Sequence, residues 1–175
     1  LTCRVCGSKL PRGFPAQWRW TDRRRATLSS AVKSKLAKRS FLVADKRELL
    51  SLMVPYLQDM GVRKILRATD GRAAIDLLNN PQYHVDMIIC DWALPNLSGL
   101  DVLKYVRKKF GKTPFLMLSA RVTRESIAAA AEHGVNGYLA KPFTVQLLEK
   151  RVVALLQALP WDESPDPAPD AMTEN

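Results

Sequence analysis

Four polar residues stand where short apolar runs of the sequence end, and their side chains suit phosphoryl transfer. They are Asp45, Asp91, Ser119 and Lys141. A carboxylate can attack phosphorus to form an acyl phosphate, and the transferred group needs positive charge and hydrogen-bond donors around its oxygens. Two carboxylates held close together also favour a divalent cation, and Mg²⁺ prefers oxygen ligands. A fold that brings the four together would make a metal-assisted phosphoryl site.

The apolar run 87–90 before Asp91 is too short for a helix and indicates a strand buried on both faces. Taken alone, Asp91 could simply start a turn. Similar runs precede the other three residues, so all four are expected at the carboxyl ends of parallel strands. Open α/β sheets place their ligand sites at that edge. The convergence of four residues, more than any one of them, indicates a site.

The remaining pattern alternates strands with helices. The predicted strands are 41–44, 64–68, 87–90, 114–118 and 137–140. The predicted helices are 48–60, 72–78, 99–110, 124–133 and 145–159. This alternation predicts an α/β fold, a doubly wound parallel sheet with helices on both faces. Pro55 is expected to kink the first of these helices or remove one of its hydrogen bonds.

Charge is distributed unevenly along the 175 residues. The net charge is +10 overall, with +10 in residues 1–40, +5 in 41–159 and −5 in 160–175. We predict a basic arm at 1–39 that is disordered or not native, a folded domain at 40–159, and a disordered acidic tail at 160–175. The sequence has no Met before Met53, which allows the arm to be upstream sequence translated from a misassigned start.

The arm has two further interpretations beyond disorder and a misassigned start. Cys3 and Cys6 have the spacing of half a zinc site, but a structural site needs four ligands. Its basic runs, with Trp18 and Trp20 nearby, could hold nucleic acid, although this partner is disfavoured.

No apolar run in the whole sequence approaches the roughly 20 residues of a membrane span. With three cysteines and no secretory signal, we expect a cytoplasmic protein without membrane partners.

From residue 41 to about 159, the sequence resembles the CheY-like receiver domains of bacterial response regulators, which act in two-component phosphorelays. The matching motifs are Phe41-Leu42-Val43-Ala44-Asp45, Asp70-Gly71, Cys90-Asp91-Trp92-Ala93-Leu94-Pro95, Ser98-Gly99-Leu100, Leu118-Ser119-Ala120 and Gly137-Tyr138-Leu139-Ala140-Lys141-Pro142-Phe143. The resemblance implies the flavodoxin-like (βα)5 fold with a five-stranded parallel sheet in the order 2-1-3-4-5.

The resemblance also implies a role for each residue of the site. Asp91 would be the phosphoacceptor, supplied by a sensor histidine kinase or a histidine phosphotransfer protein. Asp45, Asp91 and the backbone carbonyl of Ala93 would hold Mg²⁺. Lys141 and Ser119 would bind the phosphoryl oxygens, and the peptide bond from Lys141 to Pro142 would be cis.

Two residues are implied to form a switch. Ser119 would move towards the phosphoryl group and Tyr138 would follow by changing rotamer. The surface thereby altered comprises the predicted helices 124–133 and 145–159 and the strand between them. It would bind a downstream target or allow a homodimer. Tyr138 has a plainer interpretation as a packing residue in a strand.

The sequence departs from the family at the site. The family usually carries two adjacent acids after the first strand, and here the first is Ala44, which leaves Asp45 alone and predicts weaker Mg²⁺ binding. The two positions that vary with dephosphorylation rate in the family hold Ala93 and Arg121. Ala93 cannot guide an attacking water, and Arg121 could shield the phosphoryl group. We therefore expect a long-lived phosphoryl group.

Two rival functions remain open. Ala44 favours a pseudo-receiver, a docking module of the same fold that is not phosphorylated. The basic arm favours a nucleic-acid-binding regulator, although no helix-turn-helix pattern accompanies it. An independent enzyme is not expected, because no second catalytic set of residues is present.

Overall fold

The computed structural model describes residues 28–157. The predicted arm up to residue 27, with its zinc half-site, and the predicted acidic tail at 160–175 lie outside the described residues. Among residues 28–157, no helix combines the length and apolar character needed to cross a bilayer.

The described chain forms a five-stranded parallel sheet in the order β2-β1-β3-β4-β5, which confirms the predicted fold. The strands are β1 Ser40–Ala44, β2 Lys64–Ala68, β3 Met87–Asp91, β4 Phe115–Ser119 and β5 Gly137–Ala140. The helices are α1 Ser30–Ala37, α2 Arg47–Met60, α3 Gly71–Asn79, α4 Gly99–Phe110, α5 Arg124–Glu132 and α6 Val145–Gln157. The five predicted helices thus correspond to α2 through α6.

The central strands are buried on both faces because their alternate side chains enter two separate cores. In β3, Met87 and Ile89 join a core with α1, α2 and α6. Ile88 and Cys90, which point the other way, join a core with α3 and α4. This two-sided burial explains why β3 is apolar without alternation.

Local signals in the sequence set the helix ends. Ser98 caps α4 by accepting the N–H of Asp101, whose carboxylate accepts the N–H of Ser98 in return. Gly61 ends α2 with a φ of 114°, a conformation that glycine adopts without strain. Pro55 lies inside α2, and the helix continues across it to Met60.

Helix α1 was not predicted, and it lies within residues 1–39, which the sequence analysis assigned to a disordered or non-native arm. The helix is anchored by Leu36, which is fully buried in the core shared with α2. A Cβ placed on Gly61 would lie only 2.9 Å from the backbone oxygen of Lys33, so α1 packs closely on the end of α2. A helix of eight residues with one buried side chain has too little periodicity to be recognised from sequence.

A buried ion pair follows α1. Arg39 donates from Nη1 to Oδ1 of Asp86 at 2.9 Å, and both side chains are almost fully buried. The backbone N–H of Ser40 donates to Oδ2 of the same carboxylate at 2.7 Å. The packed unit therefore extends to residues before the predicted boundary at Ser40.

Candidate functional site

Three charged side chains meet at the carboxyl edge of the sheet. Strands β1 and β3 are neighbours, with Ala44 opposite Cys90, so the next residues, Asp45 and Asp91, lie side by side. Lys141 follows β5, and its Nζ donates to Oδ2 of Asp45 at 2.7 Å and lies 3.0 Å from Oδ1 of Asp91. Lysine thus bridges two carboxylates whose side chains are only 1% and 6% exposed.

The position of Lys141 is set by its backbone. Its N–H donates to the carbonyl of Ser119 at 2.7 Å, which extends the pairing of β4 and β5 by one residue. The peptide bond from Lys141 to Pro142 is cis. Phe143, directly after it, is buried in the core under α2 and α6.

The carboxylate pair is incompletely neutralised. Burial is the main cause that raises the pKa of Asp45 to about 6. Lys141 lowers this pKa by its charge and its hydrogen bond, Asp91 raises it by repulsion, and the N–H of Lys46 lowers it. The N–H of Lys46 donates to Oδ1 of Asp45 at 2.7 Å. One ammonium group therefore does not offset two buried carboxylates, and the pair remains attractive to a further cation.

The donor set fits a weakly held Mg²⁺ ion. Asp45 and Asp91 supply carboxylate oxygens, and the exposed loop after β3 contains the backbone carbonyl of Ala93. No group of three or more acidic, histidine or cysteine side chains that could hold a metal occurs within residues 28–157. Two acids and one carbonyl would leave about half of the positions of an octahedral Mg²⁺ ion to water or phosphate oxygens, an arrangement that Mg²⁺ commonly has in proteins.

The expectation that Ala44 marks the place where the site has lost a carboxylate is wrong. Ala44 is a fully buried residue of β1 whose side chain belongs to the apolar core with Ala68 and Cys90. An acid at this position would lie inside the core instead of at the site. The neighbour of Asp45 that lies at the solvent edge is Lys46, which is exposed and occupies the N-cap position of α2 without a side-chain capping bond. The departure that reduces negative charge beside the site is therefore this lysine.

Ser119 and Tyr138 meet at one backbone oxygen. The hydroxyl of Ser119 donates to the carbonyl of Arg121 at 2.6 Å and accepts the N–H of Arg121 at 3.1 Å. The hydroxyl of Tyr138 donates to the same carbonyl at 3.2 Å. Ser126 contacts it too, with Oγ 3.5 Å away. The structure thus brings Asp45, Asp91 and Lys141 together, and it links Ser119 with Tyr138 through the loop after β4.

Two glycines that the sequence analysis gave no role hold the loop after Asp91. A Cβ on Gly99 would lie 2.3 Å from the carbonyl oxygen of Asp91, and a Cβ on Gly71 would lie 2.1 Å from that of Leu97. Gly71 also donates its N–H to the carbonyl of Pro95 at 3.2 Å. Only glycine permits this approach, so α3 and α4 begin against the loop and fix it. The signal in the sequence was a glycine directly after the N-cap residue of both helices, at Gly71 and Gly99, since glycine allows a close approach of backbone.

The thiol of Cys90 lies beside the site but is not part of its chemistry. Its side chain is fully buried in the apolar core, and burial raises its pKa well above the ordinary value. A neutral thiol in that environment is neither a metal ligand nor a nucleophile.

The sequence matches a known family across the region that forms the sheet. A family model described as the response regulator receiver domain matches residues 41–153, so α1 precedes the match. The chain is 32% identical over 118 residues to the chemotaxis protein CheY of Pseudomonas aeruginosa, covering 66% of this chain and 94% of that protein. It is also 32% identical over 120 residues to the chemotaxis protein CheY-3 of Vibrio cholerae, covering 67% and 91%.

Solved structures of response regulators share the fold of this chain. The chemotaxis response regulator CheY4 of Vibrio cholerae superposes with a TM-score of 0.61 at 29% identity, covering 67% of this chain and 98% of that one. The receiver domain of the Francisella response regulator 1452 superposes with a TM-score of 0.62 at 32% identity, covering 68% and 97%.

Proposed function

Since the chain belongs to the family of response regulator receiver domains, we propose that it accepts a phosphoryl group on Asp91. The donor is a sensor histidine kinase or a histidine phosphotransfer protein. The single observation that carries the proposal is the bridge of Lys141 between Asp45 and Asp91, 2.7 Å from one carboxylate and 3.0 Å from the other. It combines an attacking carboxylate with a fixed positive charge.

In the transfer step, an oxygen of Asp91 attacks the phosphorus of a phosphohistidine. A P–O bond forms while the P–N bond breaks, and the electron pair leaves with the imidazole, which takes a proton from solvent. Lys141 is held against the carboxylate by its backbone bond to Ser119, so its charge is in place before phosphate arrives. The product is an acyl phosphate on Asp91.

Mg²⁺ belongs to the proposal as the cation held by Asp45, Asp91 and the carbonyl of Ala93. When bound, it would offset the negative charge of the carboxylates and of the phosphoryl oxygens. The raised pKa of Asp45 supports this role, because a buried carboxylate that is short of positive charge gains from an added cation. Lys46, a cation beside the site, predicts that the affinity is low.

The signal would leave through Ser119 and Tyr138. A phosphoryl oxygen that accepts the hydroxyl of Ser119 competes with its present acceptor, the carbonyl of Arg121. Loss of that bond frees the loop to which Tyr138 is also bonded. The affected surface is formed by α5, β5 and α6, and a downstream protein or a second copy would bind there. The phosphoryl group shifts the population of two states because it contacts one of them better.

A pseudo-receiver that docks without phosphorylation is the second candidate, and Lys46 is the observation that favours it. Incubation with acetyl phosphate and Mg²⁺, followed by intact mass, separates the two. The proposal expects a gain of one phosphoryl group that an Asp91→Asn variant lacks. No gain at any Mg²⁺ concentration would instead support the docking module.

A further inference from the structure

A groove lies between α1 and the C-terminal end of α2, far from the phosphoryl site at the opposite edge of the sheet. Its volume is about 770 Å³. The lining residues are Lys33, Ser34, Ala37, Gln58, Gly61, Val62 and Arg63. The wall that α1 contributes precedes the residues matched by the family, so this groove is a feature that the family match does not supply.

Positive charge flanks the groove on both sides. Lys33 comes from α1 and Arg63 from the turn after α2. Within the part of the chain that the structure describes, neither cation forms an ion pair, and Asp59, the acid nearest to Arg63 in sequence, does not line the groove. The apolar part of the lining, called here its apolar floor, consists of Ala37, Gly61 and Val62, of which Val62 is only 1% exposed. The groove thus suits a segment with an apolar side chain next to acids.

The chain carries such a segment directly after α6. Trp161 is followed by Asp162 and Glu163, and residues 160–175 contain five acids and no base. Residues 28–157, by contrast, hold twenty Lys and Arg against eleven Asp and Glu. The attraction between the two parts is therefore built into the charge distribution of the chain.

Topology brings the segment to the same end of the molecule as the groove. Helices α1, α2 and α6 pack in one core, and the hydroxyl of Tyr56 on α2 donates to Oε2 of Glu149 on α6 at 2.5 Å. Helices α2 and α6 follow strands β1 and β5 of one parallel sheet and run antiparallel to them. The C-terminal ends of both helices therefore lie at the same edge of the sheet. Neighbouring helices lie about 8–10 Å apart, and the four residues that follow Gln157, ending at Trp161, reach roughly 13 Å.

We propose that the acidic segment after α6 docks into the groove between α1 and α2. Trp161 packs on the apolar floor, and Asp162 and Glu163 pair with Lys33 and Arg63. Exposed ion pairs are individually weak, but a short tether gives the segment an effective concentration in the millimolar range. The docked segment covers the junction of α1 and α2 and holds α1 on the domain. This interaction does not depend on the proposed phosphorylation of Asp91.

Amide hydrogen exchange of the full chain tests the proposal, read in peptides that cover α1 and residues 58–64. The variant D162K/E163K should exchange faster there by about threefold to tenfold, the range expected from losing two exposed pairs. The matched control is D170K/E174K, which makes the same change of net charge farther along the tail and should exchange like the parent chain. Trp161→Ala should resemble D162K/E163K.

The reciprocal variant K33E/R63E should exchange faster to a similar degree, and combining it with D162K/E163K should restore protection. Equal exchange rates in the parent chain and D162K/E163K would overturn the proposal. An equal increase of the exchange rate in D162K/E163K and D170K/E174K would also overturn it, because it would indicate unspecific attraction. Protection that grows with protein concentration would instead place a second copy's tail in the groove. Loss of protection in R23E/R24E/R25E but not in K33E/R63E would assign the tail to the basic arm.

Discussion

The Nζ atom of Lys141 lies 2.7 Å from Oδ2 of Asp45, yet the pKa of that carboxyl is raised to about 6. Burial and the neighbouring Asp91 therefore outweigh the lysine. A site arranged for stability alone would not hold two carboxylates here. The arrangement is understandable if a further cation and a phosphoryl group complete it.

The raised pKa of Asp45 predicts a measurable pH dependence of stability. Its folded pKa of about 6 exceeds the unfolded value, so the folded state binds more protons between about pH 4 and pH 6. Without Mg²⁺, the free energy of unfolding should therefore fall as the pH rises through this window. Asp45→Asn should remove this component and be more stable at pH 7.5 by on the order of 2 kcal/mol.

Denaturant titrations of both proteins from pH 4 to pH 8 measure the difference. Asp76→Asn, an exposed change on α3, is the control that should leave the pH profile unchanged. A difference between Asp45→Asn and the parent chain that does not vary with pH would contradict this account of Asp45.

Lys46→Asp should raise the affinity for Mg²⁺ by on the order of tenfold, because it exchanges a cation beside Asp45 for a carboxylate. Trp92 follows Asp91 directly, so quenching of its fluorescence during a Mg²⁺ titration should report binding. Ala44→Asp is the discriminating comparison. Because Ala44 is fully buried in the core, that variant should lose about 3 kcal/mol or more of stability without tighter binding. Tighter binding in Ala44→Asp alone would show that the assignment to position 46 is wrong.

Ala93→Asn should shorten the lifetime of the phosphoryl group. Ala93 is exposed in the loop after β3 and offers no polar group to orient an attacking water, whereas an amide would. The decay of the phosphorylated protein, followed by intact mass after removal of the donor, should accelerate by about tenfold or more. The same substitution at Ala128, which is exposed on α5, is the control and should not alter the decay. An unchanged rate in Ala93→Asn would refute this explanation of a long-lived phosphoryl group.

Arg107 should be a large contributor to stability although it takes no part in the site. Its guanidinium donates to the carbonyls of Gly111, Thr113 and Gly134 and to Oδ1 of Asn136, and so joins α4 to the loop before β5. Arg107→Met should lower the free energy of unfolding by about 1–3 kcal/mol, because four acceptors, of which the carbonyl of Thr113 is partly buried, lose their donor. Thermal unfolding measures this loss. Lys108→Met, an exposed neighbour, should change stability by less than about 0.5 kcal/mol, and equal effects would contradict the role of Arg107.

The sequence was sufficient to predict the five strands and the charged site because both depend on short-range patterns. Each buried strand is a run of apolar residues, and each site residue follows such a run. Position after a strand places Asp45 and Asp91 at the same edge of a parallel sheet, and the strand order implied by the family resemblance, with β1 beside β3, brings them together.

The features that were missed depend on contacts between distant parts of the chain. The pair of Arg39 and Asp86 spans 47 residues, and nothing near either one indicates a buried charge. Both Ala44 and Lys46 adjoin Asp45 in the sequence, and only one of them faces the site. Which one does so depends on the direction of each side chain along β1 and its extension, and the packed core determines that direction. The meeting point of Ser119 and Tyr138 is a backbone oxygen, which has no signature in the sequence.

The most direct test of the central claim is to locate the phosphoryl group. The chain is treated with acetyl phosphate and Mg²⁺, and borohydride then reduces any acyl phosphate to the alcohol, converting a phosphorylated aspartate to homoserine. Tandem mass spectrometry of the peptide that contains residues 87–104 should show this conversion at Asp91 alone. Conversion at another carboxylate, or none in a protein that retains its fold, would contradict the assignment of Asp91 as the phosphoacceptor.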